Sequence, residues 1–111
     1  MAKETDKMII AKTADLAGLA DYQDSSIISR TLVNKNKGTI TLFAFDKGQS
    51  LSEHTAPFDA LVQILDGTAE ITINGEKHDV TAGEIILMPA NDPHAVIANE
   101  KFKMLLTMIK A

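Results

Sequence analysis

The stretch Gly48-Gln-Ser-Leu-Ser-Glu-His-Thr-Ala-Pro-Phe-Asp-Ala-Leu-Val-Gln-Ile-Leu-Asp-Gly67 decides the fold. It holds His54, one of three histidines in the chain, between two glycines placed where a strand has to turn. Leu51 to His54 reads as a short strand that stops ahead of Pro57, whose missing N–H cannot serve a ladder. Leu61 to Leu65 reads as an apolar strand ended by Asp66-Gly67. Side chains alternate along a strand, so counting back from Gly67 puts Ala60, Val62 and Ile64 on the inward face and Gln63 on the other. By the same parity an inward His54 shares its face with Ala56, while Glu53 faces away. Asp59 lies in the bend after Pro57, where alternation lapses, and is free to swing inward.

The same style continues toward the C-terminus. Ala69 to Ile73 alternates and stops at Asn74-Gly75, a pair suited to a type I′ hairpin because both central residues need positive φ. Lys77 to Val80 returns, Ala82-Gly83 turns, and Ile85 to Met88 is apolar. A loop from Pro89 to Pro93 leads into the strand His94 to Ala98, and Phe102 to Ile109 closes the chain. In that last strand Phe102, Met104, Leu106 and Met108 share one face, suited to core packing or to an adaptable pocket wall.

Toward the N-terminus, Thr39 to Phe45 is β-branched and aromatic on both faces, as expected of a strand covered on both sides. Ser26 to Val33 precedes it across the turn Asn34-Lys-Asn-Lys-Gly38. Earlier still, residues 1–7 form a polar end, Met8 to Ala11 is expected as a short edge strand, and Ala14 to Tyr22 as a brief helical turn capped by Thr13. Short strands at even spacing, turn residues between them and almost no helix make this an all-β sandwich or barrel. The 111 residues suit one domain, with an N-terminal arm over 1–24 and the barrel over 25–111.

Composition removes several function classes. The formal net charge is −4 and the lysines and arginines are dispersed, which argues against a nucleic-acid surface. One Tyr and no Trp leave no aromatic platform for single strands. With no cysteine, there is no thiolate nucleophile or ligand, so site chemistry falls to His, carboxylates, Ser/Thr, Lys or Tyr. No window approaches the roughly twenty apolar residues of a membrane helix, and no signal-length apolar run opens the chain; a soluble cytoplasmic protein is expected. Gly-x-Ser-x-Gly and phosphate-loop glycine patterns are absent.

The two histidine stretches resemble the paired motifs of the cupin superfamily. In the first, Gly48 is followed by five residues and His54; the second histidine position holds Ala56, the glutamate position holds Ala60, and Gly67 closes the frame. In the second, Gly83 leads by five residues to Pro89, the glycine position holds Asn91, His94 is in place, and the asparagine position holds Ala98. Leu42-Phe-Ala-Phe-Asp46, Glu53-His-Thr-Ala-Pro-Phe-Asp-Ala-Leu61 and Phe102-Lys-Met-Leu-Leu106 look like a small single-domain branch of cupin-2 barrel proteins. The resemblance covers roughly 39–109 and implies a cupin-type antiparallel β-barrel or jelly roll. It also implies a metal site of three His and one Glu holding Fe, Mn, Zn, Ni or Cu, of which only His54 and His94 remain here.

An alanine methyl donates nothing to a metal, and catalytic sites usually keep three protein ligands. The expected function is therefore binding of a small organic molecule, with His54, His94, Val62, Ile64, Met88, Met104 and Leu106, and one of Phe43 or Phe45, lining the pocket. The alternative is a dioxygenase- or isomerase-like enzyme in which His54 and His94 hold a divalent Fe, Mn, Ni or Zn, or act as an acid/base pair. His78 is expected as a surface imidazole. Free edges around Met8 to Ala11 and Ser26 to Val33 suggest a homodimer.

Overall fold

A computed structural model describes residues 5–111. Nine strands are found among them: β1 (Ile27–Lys35), β2 (Gly38–Phe45), β3 (Ser50–His54), β4 (Phe58–Asp66), β5 (Thr68–Ile73), β6 (Glu76–Thr81), β7 (Ile85–Met88), β8 (His94–Ile97) and β9 (Phe102–Lys110). They form two antiparallel sheets, a five-stranded one in the order β1-β2-β9-β4-β7 and a four-stranded one in the order β3-β8-β5-β6. Each expected strand from Ser26 onward is present, with its ends moved by at most a few residues.

Alternation places the core. In β4, Ala60, Val62 and Ile64 are buried, whereas Leu61 and Gln63 on the opposite face are exposed. They join Phe45, Ala69, Ile71, Val80, Met88, Val96, Phe102 and Met104 in one cluster supplied by both sheets. Phe45 and Phe102 face each other across the β2–β9 register and stack with centroids 4.6 Å apart. Offset-stacked rings at this spacing add to simple area burial.

The outer face of β1 and β2 is also covered, as the two-sided apolarity of Thr39 to Phe45 requires. Leu32, Leu42, Ala44 and Ala20 are buried there under Ile9, Leu16, Leu19 and Tyr22 of the N-terminal arm. Polar ties hold the arm in place: Arg30 Nε donates to Asp6 at 2.7 Å, Lys103 Nζ to the Ala17 carbonyl at 2.6 Å, and Tyr22 Oη to Asp66 at 2.5 Å. The hydrogen bond from Arg30 holds the Asp6 carboxyl below its usual range, helped by the Met8 N–H.

Two expectations about the arm are corrected. Met8 to Ala11 is not an edge strand; Lys7–Ile9 is a 3-10 turn capped by Asp6, and the Asp6 N–H bonds to the Leu32 carbonyl of β1 instead. The helical turn is 3-10 as well and spans Leu16–Leu19, with Asp15 rather than Thr13 at its start. Four residues with a glycine among them are too few to sustain an α-helix.

Turn chemistry follows the sequence. Asn74 and Gly75 have φ of 51° and 78°, the pair of positive values that a type I′ hairpin needs. At Gly67, with φ of +75°, a Cβ would also collide with the Lys101 carbonyl oxygen, so two independent demands exclude a side chain. No helix among the described residues is long and apolar enough to cross a membrane.

Candidate functional site

His54 ends β3 and His94 opens β8, and the two residues are directly opposite each other in the antiparallel register. Backbone pairing therefore brings them together. Their rings meet edge-on with centroids 4.3 Å apart, and the two Nε2 atoms lie 3.1 Å apart. Each Nδ1 donates to a nearby backbone carbonyl, His54 to Ser52 at 2.7 Å and His94 to Asp92 at 3.2 Å. A carbonyl oxygen only accepts, so both rings carry their proton on Nδ1 and turn the Nε2 lone pairs toward one point. His94 is buried and His54 is exposed. Burial pushes the His94 pKa below the ordinary imidazole value; the Asp92 carbonyl opposes this and neighbouring His54 adds to it.

A bulge makes this geometry work. Between Leu51, opposite Val96, and His54, opposite His94, β3 spends one residue more than β8. The extra residue turns Leu51 and His54 to the same side, although simple alternation sets them on opposite faces. The Ser52 carbonyl that orients His54 belongs to this bulged segment.

The histidines sit over a cavity of about 270 Å³ between the sheets, lined by Leu51, His54, Ala56, Phe58, Ala60, Met88, His94, Val96, Met104, Leu106 and Met108. Of the residues expected to line a pocket, His54, His94, Met88, Met104 and Leu106 do so. Val62 and Ile64 do not; they face inward as parity requires but are fully buried in the close-packed core. Phe45 is likewise fully buried against Phe102, and Phe43 packs against the same cluster. Leu51, Phe58 and Val96 also form cavity wall without having been expected there, and Met108 does so in line with the pocket-wall alternative for its face of β9. Met108 had a legible signal, since it shares its face with Met104 and Leu106; Leu51 was hidden by the bulge.

The two loops that carry the motifs are tied together. The Asn91 N–H donates to the Ala56 carbonyl at 2.8 Å, and the Ala90 N–H to Asp59 Oδ1 at 2.9 Å. Asp59 therefore serves the backbone of the second loop. Asn91 occupies the motif's glycine position with φ of 68°, the left-handed conformation that Asn tolerates better than most residues. Gly48 bonds through its N–H to the Ala98 carbonyl at 2.7 Å, joining the outer ends of β3 and β8. His78 is half-buried on the Val80 side of β6 and takes no part in the cavity wall.

A second, more open depression of about 300 Å³ runs beside the β1–β2 hairpin, lined by Val33, Lys35, Lys37, Gly38, Thr39, Ile40, Thr107, Met108 and Ile109. It carries lysine and threonine side chains but no imidazole or carboxylate; of the two spaces, the more enclosed one under the histidines holds the motif residues.

Comparison with known proteins agrees with this architecture. A family model described as the cupin domain matches residues 41–110. The chain belongs to the cupin family. Among solved structures, this cupin is similar to a conserved protein of unknown function from Streptococcus pyogenes, at 42% identity over 99% of this chain and 96% of that one, with a TM-score of 0.91. It is similar to a cupin 2 conserved barrel domain protein from Leptotrichia buccalis at 45% identity and a TM-score of 0.83, over 86% of this chain but 46% of that one. A cupin superfamily protein from Desulfitobacterium hafniense matches at 29% identity over 98% of this chain and 97% of that one, with a TM-score of 0.87. A search of curated proteins found no match.

The family pattern implies a metal, and the donors here do not fit one of the three-ligand type. Ala56 and Ala60, which stand at the other two ligand positions, present methyl groups to the cavity. No group of three or more His, Cys, Asp or Glu suited to a metal occurs among the described residues. Two imidazoles alone leave a site one protein donor short of the usual catalytic minimum.

Proposed function

We propose that this cupin binds a small organic molecule in the cavity beneath His54 and His94. The observation that carries the reading is the cavity itself: an apolar enclosure of about 270 Å³ with its polar side-chain atoms concentrated in one imidazole pair. Ligand sites combine an apolar wall with a few convergent polar groups, and this volume is just under the roughly 300–1,000 Å³ common for them. A small occupant follows.

The test is a thermal-shift and calorimetric screen of small organic compounds against the wild type and Ala60→Leu. The added branch extends into the space, so true ligands should lose at least tenfold in affinity while the variant stays folded. Hits that bind Ala60→Leu unchanged would place the site elsewhere and sink the reading.

The competing reading is a metal-dependent enzyme with an incomplete two-His site, and the convergence of the two Nε2 atoms at 3.1 Å speaks for it. Elemental analysis of protein purified without a histidine tag separates the two. Near-stoichiometric Fe, Mn, Ni or Zn supports the enzyme. The converse variant, Ala56→His with Ala60→Glu, should gain divalent-metal binding, because both positions face the cavity.

The same reading includes a homodimer in the cytoplasm. Ile9 packs on the outer face of β1 and β2 while Met8 and Ile10 stay exposed, and residues Thr5 and Asp6 already bond to the β1 backbone. A further open apolar face is on β4 and β7, where Leu61, Ile85 and Leu87 are exposed. A second copy on that face would form an isologous contact. Light scattering should give twice the chain mass, and Leu87→Lys should return it to the monomer value; a monomer in the wild type defeats this part.

A further inference from the structure

The pocket reading names a cavity but not the chemistry of its occupant, and the protons of the histidine pair narrow that choice. Ser52 and Asp92 offer only carbonyl oxygens to the two Nδ1 atoms, so both Nδ1 atoms hold hydrogens. In neutral rings each Nε2 is then a bare acceptor. Two such acceptors 3.1 Å apart repel unless a donor lies at their meeting point. Neither neutral ring can supply it without giving up the carbonyl bond of its Nδ1. The other residues of the cavity wall are Leu51, Ala56, Phe58 and further apolar side chains, which have no donor to give.

Position adds a second constraint. His54 is exposed while His94 is buried, so the acceptor pair straddles the mouth, and below it Ala60, Met88, Met104 and Leu106 continue the wall without a polar side-chain atom other than sulfur. An occupant that satisfies both parts has a polar head at the mouth and an apolar body inside. Among the described residues, no lysine or arginine lines this cavity; Lys35 and Lys37 line the separate depression by the hairpin. A carboxylate head would therefore meet two lone pairs and no fixed cation.

Resting on the pocket reading, we infer that the occupant is a small apolar molecule ending in a hydrogen-bond donor, an amine or a hydroxyl, which His54 and His94 receive jointly through their Nε2 atoms. A primary ammonium can donate to both acceptors at once, and a hydroxyl to one or shared between them. The three methionines of the wall, Met88, Met104 and Met108, let the same cavity adjust to bodies of differing shape.

The test compares n-hexylamine, n-hexanol and n-hexanoate, which share one apolar body, by calorimetry at pH 8 and by the imidazole ¹⁵N shifts of the two histidines. The amine, the alcohol or both should bind at least tenfold more tightly than hexanoate and shift both Nε2 resonances; the two arms tell which donor type the site prefers. His54→Phe removes one acceptor at an exposed position and should cost the donor ligands at least tenfold. His94→Phe is the buried counterpart, and its fold is checked by circular dichroism. Hexanoate binding as tightly as the donors overturns the inference but leaves the pocket reading intact. Donor affinity unchanged in His54→Phe overturns it too, as does Zn²⁺ binding stoichiometrically and excluding the amine. If none of the three probes binds, the inference falls, while the pocket reading stands or falls on the compound screen against Ala60→Leu.

Discussion

The space between the two sheets is built in opposite ways at its two ends. At one end Phe45 and Phe102 stack, and Ile64, Ile71 and Val62 are fully buried around them. At the other, small residues and flexible ones replace that packing: Ala56 and Ala60 stand back, Met88, Met104 and Met108 bend around a void, and two imidazoles close the rim. The same strands serve both ends, since β9 supplies Phe102 to the first and Met108 to the second. Along one inward face the chain changes from rigid aromatic to soft thioether, so stability is concentrated at one end and adaptability at the other.

Substitutions on β9 should expose this contrast. Phe102→Ala removes a fully buried ring from the stacked end and should cost about 3–5 kcal/mol in urea unfolding, the range for buried aromatic deletions. Met108→Ala, at a half-buried position beside an existing void, should cost roughly 1 kcal/mol or less, because little new cavity is created. Equal costs would mean that the two ends are packed alike.

The smallest effect is a pH dependence confined to the open end. His94 has a folded-state pKa below its ordinary 6.5, so the unfolded chain takes up the proton first on acidification. Its contribution is complete above about pH 6.5 and is lost as pH falls through the depressed folded value. The melting temperature should therefore drop more steeply below pH 6.5 in the wild type than in His94→Phe. Phe102→Ala should keep the wild-type slope. A wild type and His94→Phe with parallel profiles would remove His94 as the source.

The closed end was the more legible of the two from residues alone. Period-two alternation put Ala60, Val62 and Ile64 inward, and they are buried. The glycines at 48, 67 and 83 were expected at turns and all three have positive φ. The open end was legible only in part, for physical reasons. Parity tells which face a residue joins but not how far the opposite sheet stands away, so Val62 and Ile64 were placed beside a pocket that is confined to the start of β4, at Phe58 and Ala60. Counting by twos also fails across a bulge, which is why Leu51 escaped notice. The arm was misread at Met8 to Ala11 because an apolar run of four residues fits a strand as well as a turn packed by its neighbours. The meeting of His54 and His94 depended on a register between two strands forty residues apart, and only the motif spacing pointed to it.

The bulge in β3 has a consequence beyond aiming a side chain. β3 is an edge of the four-stranded sheet, and a straight edge offers its free backbone groups to any passing strand. A fault in the ladder next to the binding cavity spoils that template. The irregularity that lets His54 face His94 thus also protects the mouth of the molecule from fusing, strand to strand, with its own kind. Removing the extra residue should straighten the edge, turn His54 away and leave a protein more prone to aggregate.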